Sequence, residues 1–508
     1  MSTFGGIEIG KRALQTQQKS LDVTGHNIAN ANTEGYSRQR AIQQATQPHT
    51  MPGLSTSGTG AGQKGTGVEV DRIERMRDQF IDNRLRHEKH SLGEWSAKWD
   101  GLREIESIYN ELEDGGLVES LNEFWNAFQE LNNNPESMAV RSSVVQTSVN
   151  LTSHINQLDK ELGEYREHIA EEVESNVEKV NYYTGQIADL NNQIRTIQAD
   201  SSKSANDLMD RRDKLIDELS ELADIKVTTD DLDQTNVSLD GSTLVQGSSA
   251  YNVEVLDDER IENVEYEHYA EDGDGNDSYT VPEQAFEVNG NPIDINGGEI
   301  KGQLDVKESV ADQQINKLGD LARGLATEVN SIHEEGYDLN GDEGLEFFKF
   351  NADEFKASHL EVNEDIVEDP AKLAAARLKD EDGELITGDL DDDFLDEDGN
   401  LLDVGNGDNA MLIANLKDAG DKIGGTTFND YWESEVSKLG LEIDQAQQFK
   451  DNQENLTQQL ENKREEVSGV SIDEEMTEMI KFQHGYSAAG RLVSQMDEMF
   501  DHLIGMVR

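Results

Sequence analysis

The chain has 508 residues, 106 acidic and 43 basic, for a formal charge of −63, with no cysteine and 6 prolines. That length calls for several domains; the missing cysteine excludes disulfides, thiol catalysis and thiolate metal sites; and so negative a chain lacks the cationic surface that nucleic acid or an anionic membrane demands. No apolar run approaches the roughly 18 residues needed to cross a bilayer, and Met1 to Arg12 lack the continuous apolar block of a cleavable leader.

In chain order, the first expected element is an amphipathic helix within 1–52, with Phe4, Ile7, Leu14, Leu21 and Ile28 on one face. Residues 53–67 are a Gly/Ser/Thr linker that cannot pack a core and separates this helix from the rest. A helical run follows through Trp95, Trp99, Leu102, Ile105, Tyr109 and Leu112. The longest regular signal starts at Leu151 and runs through Ile155, Leu158, Leu162, Tyr165 and Ile169 in alternating steps of four and three, the seam of a helix packed on another helix. Steps of four to Val173 and Val177 make a stutter before the seam continues to Ile197, which predicts one helix of roughly 70 Å at 1.5 Å per residue. Further helices are expected over 206–223, 304–335 and 430–465.

Between them, 226–300 alternates apolar and polar residues and is broken by Asp240-Gly241 and Asn289-Gly290, the pattern of short antiparallel strands with tight turns. This block holds 19 acids against Lys226 and Arg260, and 337–425 holds 26 against 7, whereas 1–90 has a balance of +3. Two acidic outer modules are therefore expected on a body made of 68–225, 301–336 and 426–465. Acidity of this degree also reads as adaptation to high salt, because the Debye length falls from about 10 Å at 0.1 M to about 3 Å at 1 M. At the far end, within 466–508, Phe482, Tyr486, Ala489, Val493, Met496, Phe500, Leu503 and Val507 keep an unbroken four-three alternation. Residues 466–508 carry 8 acids and 3 bases, and 1–45 carry 3 and 5, so the two ends are made to pair. The fold class expected is mainly α with inserted β-rich modules, an elongated multi-domain rod of long helices with its N- and C-terminal helices paired. An isolated amphipathic helix gains little from an exposed seam, so both ends are expected to order only when subunits assemble.

Candidate chemistry is thin. Gly60 to Gly65 matches the dinucleotide fingerprint, but no strand delivers it to a helix, and it reads as linker. Gly5 to Lys11 nearly matches a phosphate-binding loop, with Arg12 where a magnesium-ligating hydroxyl belongs. Asp338 to Asp342 begins like a calcium loop but has Glu343 in place of the turn glycine and reads as a turn; Asp272, Asp274, Asn276 and Glu283 hold ligand spacing without the glycine. His87 and His90 lie one helical turn apart and read as a solvated face. No catalytic, cofactor-binding or metal-ligating residue is assigned, and no cofactor is expected.

The segment Asn27-Ile28-Ala29-Asn30-Ala31-Asn32-Thr33-Glu34-Gly35-Tyr36-Ser37-Arg38-Gln39 closely resembles the N-terminal signature of the axial proteins of the bacterial flagellum. Asn30 and Asn32 suit a chain turn where the helix stops, and Gly35 frees the backbone so that Tyr36 plants its ring. Three further segments, 65–80, 206–219 and 467–486, are similar to the hook-filament junction members of that family. The resemblance implies a structural subunit between hook and filament, needed for filament assembly, in a ring or helical homo-oligomer whose terminal helices line an inner tube. It implies assembly contacts at Ile7, Leu14, Leu21, Asn27, Ile28, Asn30, Thr33, Gly35 and Tyr36, and assembly or chaperone contacts at Phe482, Tyr486, Val493, Met496, Phe500 and Leu503. The partners it implies are hook protein, the second junction protein, an export chaperone that grips the C-terminal helix and the type III export apparatus, with no nucleic acid and no membrane. Secretion to the flagellum and a salt-loving bacterial source go with it. A hook- or rod-type axial protein and a cytoplasmic coiled-coil scaffold are the alternatives.

Overall fold

The computed structural model describes residues 4–50, 63–109, 116–200, 204–230, 233–256, 285–350, 356–378 and 405–507. They fall into two compact units, Met1–Gly93 with Asn176–Glu299 and Asp451–Arg508, and Glu94–Ser175 with Ile300–Lys450. Helices dominate, and small antiparallel sheets are inserted among them.

In the first unit, the N-terminal helix Phe4–Ala29 packs along the C-terminal helix Ile472–Val507. The pairing is made within one chain, which corrects the expectation that these ends order only on assembly: each helix supplies part of the other's missing surface. A two-stranded hairpin, Gln39–Ala45 with Val68–Arg75, lies against the N-terminal helix. It escaped the sequence reading because its strands are rich in Gln, Arg and Glu and stand more than twenty residues apart. The four-stranded meander of Ile225–Thr229, Thr235–Leu239, Ser242–Gln246 and Ser249–Ala250 and the three-stranded sheet of Val253–Leu256, Ala285–Val288 and Asn291–Ile293 turn where expected. Asp240-Gly241 and Asn289-Gly290 both adopt positive φ, the conformation that matches the twist of a tight hairpin.

The second unit is built on a dense aromatic nucleus. Phe124 sits 4.9 Å from Trp125 and 5.0 Å from Phe128, Phe347 and Phe348 lie 4.8 Å apart edge to face, and Tyr109 meets Trp432 at 4.9 Å. All are essentially inaccessible to solvent. Arg141, also buried, donates to the carbonyls of Pro135, Ala371 and Leu373. Burial, only partly offset by Asp338, pushes its guanidinium down to about 10. His333 is equally enclosed: Nδ1 meets the Leu345 carbonyl at 2.6 Å and Nε2 accepts from the Ala374 amide at 2.9 Å, and burial holds the imidazole down at about 4.

The long helix is Met138–Gln198, 61 residues and about 90 Å, extending thirteen residues before the expected start. Its first turns bury Arg141, Val144, Val145 and Ser148, a mixed set whose polar members hide the period. The seam residues from Leu151 to Ile194 are buried as their spacing requires, except Tyr165, which is half-buried. Between Glu299–Asp305 and Asp312–Glu334 the helix passes through a π-helical stretch, Val306–Ala311, absent from the sequence reading.

Candidate functional site

The terminal helices approach closely because glycines face the contact. A Cβ on Gly6 would stand 2.6 Å from Met496, one on Gly10 2.6 Å from Val493 Cγ2, and one on Gly485 2.9 Å from Gln17. Of the C-terminal seam, Phe482, Val493, Met496 and Phe500 are half-buried and Ala489 is buried. Tyr486 departs from the expectation: it is 42% exposed, because the small Gly485 takes the place facing the N-terminal helix. The Leu503 side chain lies outside the described residues. On the N-terminal helix, Ile7, Leu14, Leu21 and Ile28 are only half covered, while Thr16, Ser20, Val23, Thr24 and Asn27 are the buried positions. The apolar face read from the sequence is thus the flank of the contact rather than its centre.

At the end of the N-terminal helix, Asn30 donates through its amide and its Nδ2 to the His26 carbonyl at 3.1 and 3.0 Å. Thr33 donates to the Asn30 carbonyl at 2.9 Å, and Gly35 follows at φ 79°, a left-handed turn that favours glycine. This reversal returns the chain over Asn27, whose carboxamide is fully used. Its Oδ1 accepts from Tyr36 Oη at 2.8 Å and the Gln39 amide at 2.9 Å, and its Nδ2 donates to the Gln39 carbonyl and to Glu475 Oε2, each at 2.9 Å. Two donors and two accepted bonds satisfy a buried amide completely.

Next in sequence, Ser37 donates its amide to Asp210 Oδ2 at 3.1 Å. Arg38 donates its amide to the Ser468 carbonyl, its Nε to Glu475 Oε1 at 2.7 Å and its Nη1 to Glu474 Oε2 at 3.0 Å. Arg75 bridges Asp210 and Asp213, and Arg77 joins Asp213 to a forked pair with Asp82. Burial would raise the Asp213 carboxyl, but Arg77, Arg75, Arg212 and Arg86 together hold it below the usual range. Burial wins at Asp210, whose carboxyl is pushed up despite Arg75. Burial, with the charges of Asp207, Asp210 and Glu475, drives the Tyr36 phenol well up, so it stays a donor to Asn27.

Four separate segments, 27–39, 72–82, 206–217 and 464–475, therefore meet at one polar node within the first unit. Asn27, Asn30, Gly35 and Tyr36 form this internal clasp, and Thr33 is an exposed part of the turn. Glu475, Arg38, Asp210 and Arg75 were missed as site residues; Glu475 and Asp210 are acids at buried helical positions, and the half-buried Arg75, on a strand, and Arg38, in the loop before one, are the bases that meet them.

Gly5 to Lys11 lies inside the N-terminal helix; Gly60 to Gly62, like 272–283, lie outside the described residues, and Gln63–Lys64 is a short strand paired with His49–Thr50 rather than free linker. Asp338 Oδ1 accepts from the Asn340 and Asp342 amides, closing a turn. His87 is exposed, but His90 is buried with its Nδ1 3.7 Å from Asp224, which corrects the solvated face expected for both. Among the described residues no group of three His, Asp or Glu could hold a metal, and no helix is long and apolar enough to cross a membrane.

Comparison with known proteins bears on the same segments. The model of the flagellar hook-associated protein FlgK helical domain matches residues 102–348, that of the flagella basal body rod protein matches 7–36, and that of the flagellar basal body rod FlgEFG protein C-terminal region matches 461–506. Flagellar hook-associated protein 1 of Bacillus subtilis is 31% identical over 99% of this chain and 98% of its own length, and that of Salmonella typhimurium 27% over 97% and 98%. A solved structure of the flagellar hook junction protein FlgK from Burkholderia pseudomallei shares the fold, with a TM-score of 0.59 at 14% identity over 76% of this chain and 100% of that one. With a relative this similar along nearly its full length, the chain belongs to the flagellar hook-associated protein 1 (FlgK) family and is a structural subunit of the bacterial flagellum.

Proposed function

We propose that this subunit assembles with copies of itself into a ring between hook and filament, using the paired terminal helices as its assembly surface, and that it has no catalytic role. The observation that carries this is the surface of the C-terminal helix. Ile472, Met476, Ile480, Tyr486, Leu492, Met499, Ile504 and Met506 are each exposed by 38% or more on a helix of 36 residues. Scattered exposed apolar residues are ordinary, but this many on one element mark a contact surface awaiting a partner. Ile7, Leu14, Leu21 and Ile28, half covered beside it, extend that surface. Phe482, Val493, Met496 and Phe500 hold the pair together, while Tyr486 joins the outward contact.

Hook protein on one side and the second junction protein on the other are the neighbours proposed. Export through the type III apparatus, with a chaperone holding the C-terminal helix beforehand, is the proposed route to the outside. Asn27, Asn30, Thr33, Gly35 and Tyr36 act indirectly, by building the clasp that aims the helices. Electron microscopy of a deletion strain tests the reading: hooks without filaments and monomeric filament protein in the medium are expected, and normal filaments overturn it. Removing 482–508 from the full chain is expected to abolish complementation while the second unit stays folded.

A further inference from the structure

The C-terminal helix is held to the rest of its unit in two unequal ways. Along its length the contact is a half-buried seam to which the C-terminal helix contributes, among the described residues, Ala489 as its one buried apolar side chain. At its base, by contrast, stands a single enclosed carboxylate. Glu475 is 3% exposed, and its two oxygens accept from Asn27 Nδ2 at 2.9 Å and Arg38 Nε at 2.7 Å. Immediately before it the helical backbone is interrupted: Phe428–Ser468 ends, Gly469 to Ser471 are non-helical, and Ile472–Val507 begins. Gly469 is needed there, since a Cβ would stand 2.4 Å from the Glu465 carbonyl oxygen.

We infer that the C-terminal helix is a hinged arm that swings at Gly469–Ser471 and is latched closed by Glu475 against Asn27 and Arg38. The latch follows from the strength of its parts. Hydrogen bonds to a buried charge are about twice as strong as neutral ones, and truncating Glu475 leaves the buried Asn27 Nδ2 one acceptor short and Arg38 with Glu474 as its remaining carboxylate on the arm. The seam cannot compensate, because half-buried side chains keep much of their apolar area in water whether the arm is open or closed. Arg38 ties the latch to the break itself, since the same residue donates its backbone amide to Ser468, the last residue before the hinge. Asn27 ties it to the N-terminal helix and, through Tyr36 and Gln39, to the signature loop. Opening the arm frees the glycine face of the N-terminal helix and the seam of the C-terminal one, and a second copy of this chain is the partner whose helices fit both. That exchange rests on the assembly reading above; the latch does not.

The chain has no cysteine, so two can be introduced without interference. Spin labels at Gln18→Cys and Ser487→Cys, exposed positions on the two helices, report their separation in the full-length monomer by pulsed electron resonance. One narrow distance is expected for the parent chain. Glu475→Ala is expected to add a longer, broad population, with the open-to-closed ratio raised roughly tenfold for each charge-assisted hydrogen bond lost. Glu475→Gln, which keeps the shape and removes the charge, is expected to fall between the two and covers the case in which the alanine variant does not fold. Hydrogen exchange should quicken in 472–507 while 206–222 stays protected. A Gln variant with the parental distance distribution and unchanged exchange overturns the latch. Because the measurement is made on monomers, it stands or falls separately from the junction reading, which the deletion strain decides.

Discussion

The aromatic nucleus of the second unit and the paired helices of the first solve the burial problem in opposite ways. Phe124, Trp125, Phe128, Phe347 and Phe348 are all less than 2% exposed, locked edge to face, whereas the terminal seam leaves Phe482, Val493, Met496 and Phe500 half open. The first arrangement spends its apolar area on one folded unit. The second withholds area, and what it withholds is available to a neighbour. The two regions also differ in what joins their elements, edge-to-face rings in one and a buried ion-pair node in the other.

That contrast can be broken at its strong end first. Phe347→Ala should cost about 3–5 kcal/mol, a transfer term plus a cavity the rigid surroundings cannot refill. All four tryptophans, Trp95, Trp99, Trp125 and Trp432, belong to the second unit, so denaturant unfolding followed by tryptophan fluorescence reads that unit directly. A loss below 1 kcal/mol would deny the nucleus its role.

In the node, Arg77→Ala is expected to cost about 3 kcal/mol, the low end for breaking a buried pair, since Arg75 still reaches Asp213. Hydrogen exchange of 206–222 measures it, and tryptophan fluorescence should be unmoved.

The second unit should also carry an acid-sensitive element. His333 titrates near 4 when folded against 6.5 unfolded, so between those values the unfolded chain binds the extra proton. Its contribution to stability is complete above about pH 6.5 and is lost as pH falls toward 4, by at most about 1.4 kcal/mol per pH unit. An imidazole resonance that titrates near 6.5 in the folded protein would contradict this. At the weak end, Val493→Ala should cost less than about 1 kcal/mol, because a half-buried methyl pair surrenders little; a loss comparable to that of Phe347→Ala would mean that the seam is a core after all.

Much of this was written in local pattern. The four-three steps from Leu151 onward mark a buried helical seam, since a period near 3.5 puts those residues on one side wherever the helix lies. Asp240-Gly241 and Asn289-Gly290 mark hairpins, since few residues tolerate positive φ. The Asn27 to Gln39 segment marks the family. The hairpin of Gln39–Ala45 with Val68–Arg75 had no such trace, because its stability comes from the helix it covers and not from alternation. Tyr486 misled because a four-three count ranks residues by apolarity, while the close approach of two helices selects for Gly485.

What the residues determined unaided were periods, turns and charge, properties that act over a few neighbours and survive in any tertiary setting. Which seam is closed and which left half open was decided only when distant segments met, as was the burial of Glu475 between Asn27 and Arg38. Solvation of a side chain depends on everything packed around it, and 448 residues of chain separate Asn27 from the carboxylate it holds.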